Sequence, residues 1–93
     1  MKFEYDPNKS NSNKVKHGID FEEAQALWDD RDAIMFAVDR VGEPRFIVIG
    51  KIQERHWTAV ITFRQENTRI ISVRRSRTTE KKLYERSEHE HNN

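Results

Sequence analysis

Arg69-Ile70-Ile71-Ser72-Val73-Arg74-Arg75-Ser76-Arg77 starts as an apolar strand and ends as a cluster of cations. Side chains alternate faces along a strand. Ile71 and Val73 are therefore expected to share a face with Arg75 and Arg77, and Ile70 and Ser72 to share one with Arg74. A strand that needs burial at its start and water at its end emerges from a core. Where it emerges it holds several guanidiniums at fixed spacing, and the guanidinium fork matches phosphate oxygens. The plain alternative is a solvated strand end with one arginine tied to a carboxylate such as Glu80.

Upstream of this stretch, Arg45 to Ile52 and Trp57 to Arg64 are strand-like runs rich in β-branched and aromatic residues. The links at Gln53 to His56 and Gln65 to Thr68 are short, so the three strands predict an antiparallel meander. Ala33 to Val38 is a fourth apolar run, expected at one edge. Phe3 to Tyr5 is a short strand candidate. Asp6-Pro7 reads as a helix start, with the helix running to His17 and stopping at Gly18. Asp20 and Glu23 form a capping-box pair. Phe21, Ala24, Leu27 and Trp28 follow as an apolar stripe at helical spacing, giving a second helix that ends near Trp28. Thr78 to Arg86 is a short terminal helix with Thr78 as its cap. The order β-α-α-β-β-β-β-α implies an α+β layer: an antiparallel sheet of about four strands, two N-terminal helices and a short C-terminal helix.

At 93 residues the chain is one domain, expected over residues 1–87, with residues 88–93 as a disordered polar tail. Apolar residues make up 34% and charged residues 35%, which is polar for a globular chain, yet the apolar ones fall in periodic blocks and so predict a folded core. There is no cysteine, which excludes disulfides, thiolate metal sites and thiol catalysis and suits a reducing cytoplasm. The first residues form no signal peptide, and no stretch reaches membrane-spanning length. The net charge is only +1, but it is unevenly placed. Asp20 to Asp32 holds six acids against Arg31, and Arg69 to Arg86 holds seven bases against Glu80 and Glu85. A near-neutral total can hide a basic face that attracts polyanions.

The ordered set Phe3-Glu4-Tyr5-Asp6-Pro7-Asn8-Lys9, Lys16-His17-Gly18-Ile19-Asp20-Phe21-Glu22-Glu23-Ala24, Asp29-Asp30, Glu43-Pro44-Arg45-Phe46-Ile47-Val48-Ile49-Gly50 and Arg69-Ile70-Ile71-Ser72-Val73-Arg74-Arg75-Ser76, then Glu80 and Tyr84, resembles the BrnT toxin family. The resemblance covers almost the whole chain to Arg86. It implies a RelE-like microbial ribonuclease fold and the toxin role in a type II toxin–antitoxin pair. Such a toxin cuts RNA and blocks translation. A small DNA-binding antitoxin of the BrnA kind neutralises it, so operator DNA is met only through the antitoxin. One departure stands out. The family's first helix is usually rich in Ala and Leu, and here it carries Asn8, Ser10, Asn11, Ser12 and Asn13.

RNA cleavage without a cofactor or metal needs three things. The ribose 2′-OH must lose a proton, the leaving 5′-oxygen must gain one, and the extra charge on the phosphate must be stabilised. Arg75 and Arg77 are the leading phosphate pair, with Arg74 on the opposite face. Arg64 and Arg45 fall at the other end of the meander, as a second candidate group. Histidine's ordinary pKa, near ~6.5, suits either proton role; His17 is the candidate, flanked by Lys14 and Lys16 as RNA contacts, and its plain alternative is a helix-end residue on free carbonyls. Tyr84 could donate a proton or stack on a base, or pack on the sheet with Leu83. Trp28 and Trp57 read as core. His89 and His91 lack further ligands, so no metal site is expected. Phe21, Leu27, Trp28 and the edge run Ala33 to Val38 are candidates for the antitoxin surface, with Phe21 and Leu27 favoured as core. The competing functional class is a module on the same fold that binds RNA or protein without cutting.

Overall fold

A computed structural model describes residues 1–39 and 41–91, with side chains through residue 87. Its elements are strand β1 (Lys2–Glu4), helix α1 (Pro7–His17), a 3-10 helix (Glu23–Asp29), strands β2 (Ile34–Val38), β3 (Arg45–Ile52), β4 (Arg55–Arg64) and β5 (Asn67–Arg75), and helix α2 (Thr78–His91). The sheet has five strands in the order β1-β5-β4-β3-β2. The meander β2-β3-β4-β5 is antiparallel as expected. The fifth strand corrects the expected four. β1 pairs in parallel with the start of β5, Phe3 opposite Thr68, which makes the sheet mixed.

The second N-terminal helix is also corrected, from α to 3-10. Its buried residues are Ala24 and Leu27, and Phe21, in the turn just before it, is buried with them. They recur every third residue, and a helix with three residues per turn stacks them on one stripe. The capping box itself forms: Glu23 N–H donates to Asp20 Oδ1 at 2.7 Å, and Asp20 N–H donates to Glu23 Oε1 at 3.0 Å. Gly50 lets this helix approach β3. A Cβ there would lie 3.0 Å from Leu27 Cδ2 and 3.2 Å from Ala33 Cβ.

Helix α1 starts and stops where its sequence says. Asp6 accepts the Asn8 N–H at 2.8 Å, and Gly18 closes the helix in the left-handed region at φ 82°. Its polar interior has a structural use. β1 is only three residues long, so beyond Arg69 the outer edge of β5 has no strand beside it. Asn13, only 7% exposed, fills that place. Its Nδ2 donates to the Val73 carbonyl at 2.9 Å and to the Ile19 carbonyl at 2.8 Å, and its Oδ1 accepts the Val73 N–H at 3.3 Å. The side-chain amide thus acts as one more peptide group of an absent strand. Ser10 accepts the Phe21 N–H at 2.9 Å and anchors the following loop.

The core lies between one face of the sheet and the layer formed by α1 and the 3-10 helix. It holds Ile19, Phe21, Ala24, Leu27, Val48, Trp57, Ala59, Ile61, Ile70 and Val73. Phe3 meets Trp28, and Tyr5 meets Phe21, ring edge to ring face. Strict alternation in β5 fails at one point. Ile61 faces Ile70 while Val60 faces Ser72, so β5 carries an extra residue, Ile71, in a bulge. Ile70 therefore points into the core with Val73 and shares the face of Arg75; the expected grouping of Ile71 with Val73 does not hold.

Helix α2 docks on the opposite face through polar contacts. Glu80 takes two bonds from Arg74, both 2.8 Å, one from Thr58 at 3.0 Å, and the Arg77 N–H at 2.7 Å. Arg77, not Thr78, holds the cap position, since its carbonyl accepts the Lys81 N–H. The helix continues past Arg86 to His91. Residues 92 and 93, the end of the expected tail, lie outside the described residues.

Candidate RNA site at the basic sheet end

The register fixes which cations share an end of the sheet. Trp57 is opposite Arg75 and Gly50, while Arg64 is opposite Asn67 and Arg45 opposite Val38. Arg75 and Arg77 thus stand at one end, and Arg45 and Arg64 at the other, as the meander predicts.

The two ends differ in how their cations are held. Arg64 is bound to Glu43 at 2.9 Å, and Arg69 to Glu4 at 2.8 Å. Arg74 is bound by two bonds to Glu80, which is the carboxylate partner named as the plain alternative for this cluster. The Arg74 guanidinium, followed by the Arg77 and Thr58 hydrogen bonds, holds the Glu80 carboxyl down at about 2, against the opposition of its burial. Arg75 is different. It is exposed, its guanidinium lies 5.5 Å from the Trp57 ring centroid, and it enters no ion pair among the described residues. Arg55 and Arg77 are likewise exposed and outside those ion pairs.

The end of α1 comes to this same place. Asn13 ties the helix to Val73, two residues before Arg75. Gly18, the next stop after Lys16 and His17, lines a groove with Ile19, Glu23, Ile52, Gln53, Arg55 and Trp57. Lys16 and His17 are exposed. Lys14 is committed: its ammonium bonds both oxygens of Glu23, at 2.8 and 3.0 Å. That bond pulls the Glu23 carboxyl below its usual range and lifts the Lys14 ammonium above its own.

Tyr84 is 1% exposed, and its hydroxyl donates to Asp30 Oδ2 at 2.8 Å. Asp30 also accepts the Lys51 N–H at 2.7 Å, and the His56 ring meets the Tyr84 ring at 5.1 Å. Tyr84 thus fastens α2 to the 3-10 helix, and its ring is buried against the sheet, whereas Leu83, expected to pack beside it, is exposed. Arg45 is half-buried, with its Nε unbonded among the described residues. Phe21 and Leu27 are core, while Met35 and Phe36 on edge strand β2 are exposed.

Three contributors escaped the sequence reading. Arg55 sat inside a presumed turn, but β4 begins there. Trp57 is core, as read, and also carries Arg75. Asn13 looked like a weak helix residue. Its only sequence signal was its polarity at a position where a short helix on a sheet should be apolar.

A family model described as ribonuclease toxin, BrnT, of type II toxin–antitoxin system matches residues 5–80. No curated protein matches the chain.

Proposed function

The chain belongs to the BrnT family of ribonuclease toxins of type II toxin–antitoxin systems, and from that premise we propose that it cuts RNA at the sheet end carrying Arg75 and Arg77. Membership implies the RelE-like fold, a cognate antitoxin and an RNA substrate. The observation that carries the choice of end is the contrast between arginines. At the far end Arg64 and Arg69 spend their charge on carboxylates and Arg45 is half-buried; at this end Arg74 is spent on Glu80, but Arg75 is exposed, in no ion pair among the described residues, and lies over Trp57.

The reaction is attack of a ribose 2′-oxygen on the adjacent phosphorus. The O2′–P bond forms, the P–O5′ bond breaks, and the products are a 2′,3′-cyclic phosphate and a free 5′-hydroxyl. Arg75 and Arg77 hold the phosphate and offset the charge that builds on its oxygens. His17, next in the chain to the Gly18 that lines the groove with Trp57, exchanges the proton, with Lys16 steering the strand. No metal is required by this scheme, because guanidiniums supply the positive charge. The toxin acts in the cytoplasm and inhibits translation there. A BrnA-like antitoxin neutralises it, and the open β2 edge with Met35 and Phe36 is the surface that antitoxin covers. The alternative of a non-cutting module is favoured by no specific observation.

The test is incubation of single-stranded RNA with the full chain in a chelator, followed by end-group determination. The expected products carry 2′,3′-cyclic phosphate ends, and added antitoxin suppresses them. RNA that stays intact at concentrations giving saturated binding would establish the module instead.

A further inference from the structure

We propose that the groove between the end of α1 and the β3–β4 hairpin is a slot for one nucleobase of single-stranded RNA, in which Glu23 and Gln53 read the base edge and select cytosine over uracil. This rests on the RNA role above and adds what is recognised beside the cut.

The groove has a volume of about 290 Å³ and is lined by Ile19, Ile52 and Trp57 as apolar surface and by Glu23, Gln53 and Arg55 as polar groups. A nucleobase is a flat apolar ring with a hydrogen-bonding edge, and proteins take single-stranded bases on such mixed surfaces. The volume is close to the ~300 Å³ lower end of small-ligand sites, which suits one base rather than a folded ligand. Cations stand where the flanking phosphates would run, Arg55 in the lining and Arg75 over Trp57. Two larger hollows lack this pairing. The one beside β1 is lined by Glu22, Glu23 and Asp29 with no lysine or arginine, and the one at Tyr84 sets Asp29, Asp30 and Asp32 against Lys51 alone.

Selectivity follows from the held carboxylate. Glu23 is fixed by Lys14 and by the Asp20 N–H, and the Lys14 bond keeps it ionised. An ionised carboxylate only accepts hydrogen bonds, and each oxygen has two lone-pair sites, so capacity remains. Cytosine offers an N4 amino donor there, whereas uracil offers the O4 acceptor and meets repulsion. Gln53 can both donate and accept, and so bonds the rest of the edge.

The backbone provides a clean test. Gln53 and Gln65 both occupy the left-handed region, at φ 58° and 56°, each in a two-residue hairpin link. Glycine relaxes that conformation, so Gln53→Gly and Gln65→Gly should each keep or raise the melting temperature. Only the first removes a groove side chain. Affinities of the full chain are measured for 2′-O-methyl oligocytidine and oligouridine, which cannot be cut, at one salt concentration. The expected wild-type preference for oligocytidine is about tenfold. Glu23→Gln should abolish it. Gln53→Gly should weaken oligocytidine binding about fivefold, as loss of one hydrogen bond predicts, and Gln65→Gly should leave it unchanged. Equal wild-type affinity for the two oligomers, or wild-type oligocytidine affinity in Gln53→Gly, overturns the slot while leaving the RNA role standing. No binding of either oligomer overturns both.

Discussion

Arg74 and Arg75 are adjacent in sequence and opposite in role. Arg74 shares two bonds with Glu80 beneath α2, so Arg74→Ala leaves a largely buried carboxylate short of its partner. The expected cost is about 2–4 kcal/mol in denaturant unfolding. Arg75→Ala loses a cation–ring contact worth about 0.5–1 kcal/mol at an exposed site. Its effect should fall on RNA instead: the slope of log affinity against log salt for a single strand should flatten by about 0.7. A large stability loss in Arg75→Ala with an unchanged salt slope would reverse these roles. Part of this was legible in the sequence. Alternation put the two arginines on opposite faces, and Glu80 stood out as a carboxylate within reach. The Trp57–Arg75 contact was not legible, because it depends on cross-strand register, which no local pattern states.

At the scale of elements, α1 is held by polar contacts where apolar packing would be usual, and α2 by the Glu80 network at its start together with the buried Tyr84 ring. Asn13→Ala should cost about 2–3 kcal/mol, since it orphans the Val73 N–H and removes bonds to two carbonyls, and exchange of the Val73 amide should speed up. Stability within about 0.5 kcal/mol of wild type would show that the tether is dispensable. The Glu80 latch predicts a pH dependence. Its carboxyl is held at about 2 against an ordinary 4.5, so its contribution is complete above pH 4.5 and is lost as pH falls toward 2. A shift of that size corresponds to roughly 3 kcal/mol. Glu80→Gln should flatten the stability profile over that interval, and an unchanged profile would place the acid sensitivity elsewhere. The helix caps at Asp6 and Gly18 and the Asp20–Glu23 pair were readable because each is a local signal, although the 3-10 helix itself starts only at Glu23, with Glu22 rather than Asp20 at its cap position. The Ile71 bulge and the parallel pairing of β1 were not readable, since both are set by cross-strand partners and not by neighbours in the chain. The 3-10 helix lay between: its every-third-residue stripe was in the sequence, but Trp28 next to Leu27 made it look like an α-helical one.

Over the whole molecule the sheet separates two chemistries. One end ties Arg69 and Arg64 to Glu4 and Glu43 and holds Arg45 half-buried, and the other ties Arg74 to Glu80 but leaves Arg55, Arg75 and Arg77 exposed and outside any ion pair among the described residues, with the end of α1 alongside. Net charge hides this, because acids and bases cancel across the chain and not across the sheet. No helix among the described residues is long and apolar enough to cross a membrane. The central claim is that RNA is cut at the Arg75 end. It is tested most directly by single-turnover cleavage of single-stranded RNA in a chelator, comparing the double variants Arg75→Ala/Arg77→Ala and Arg45→Ala/Arg64→Ala. The first should lose on the order of 100-fold or more in rate, as removal of transition-state charge stabilisation predicts, and the second should stay within about threefold of wild type after correction for folded fraction. A collapse of cleavage in the second pair with near-normal rates in the first would contradict the assignment and move the site to the opposite end of the sheet.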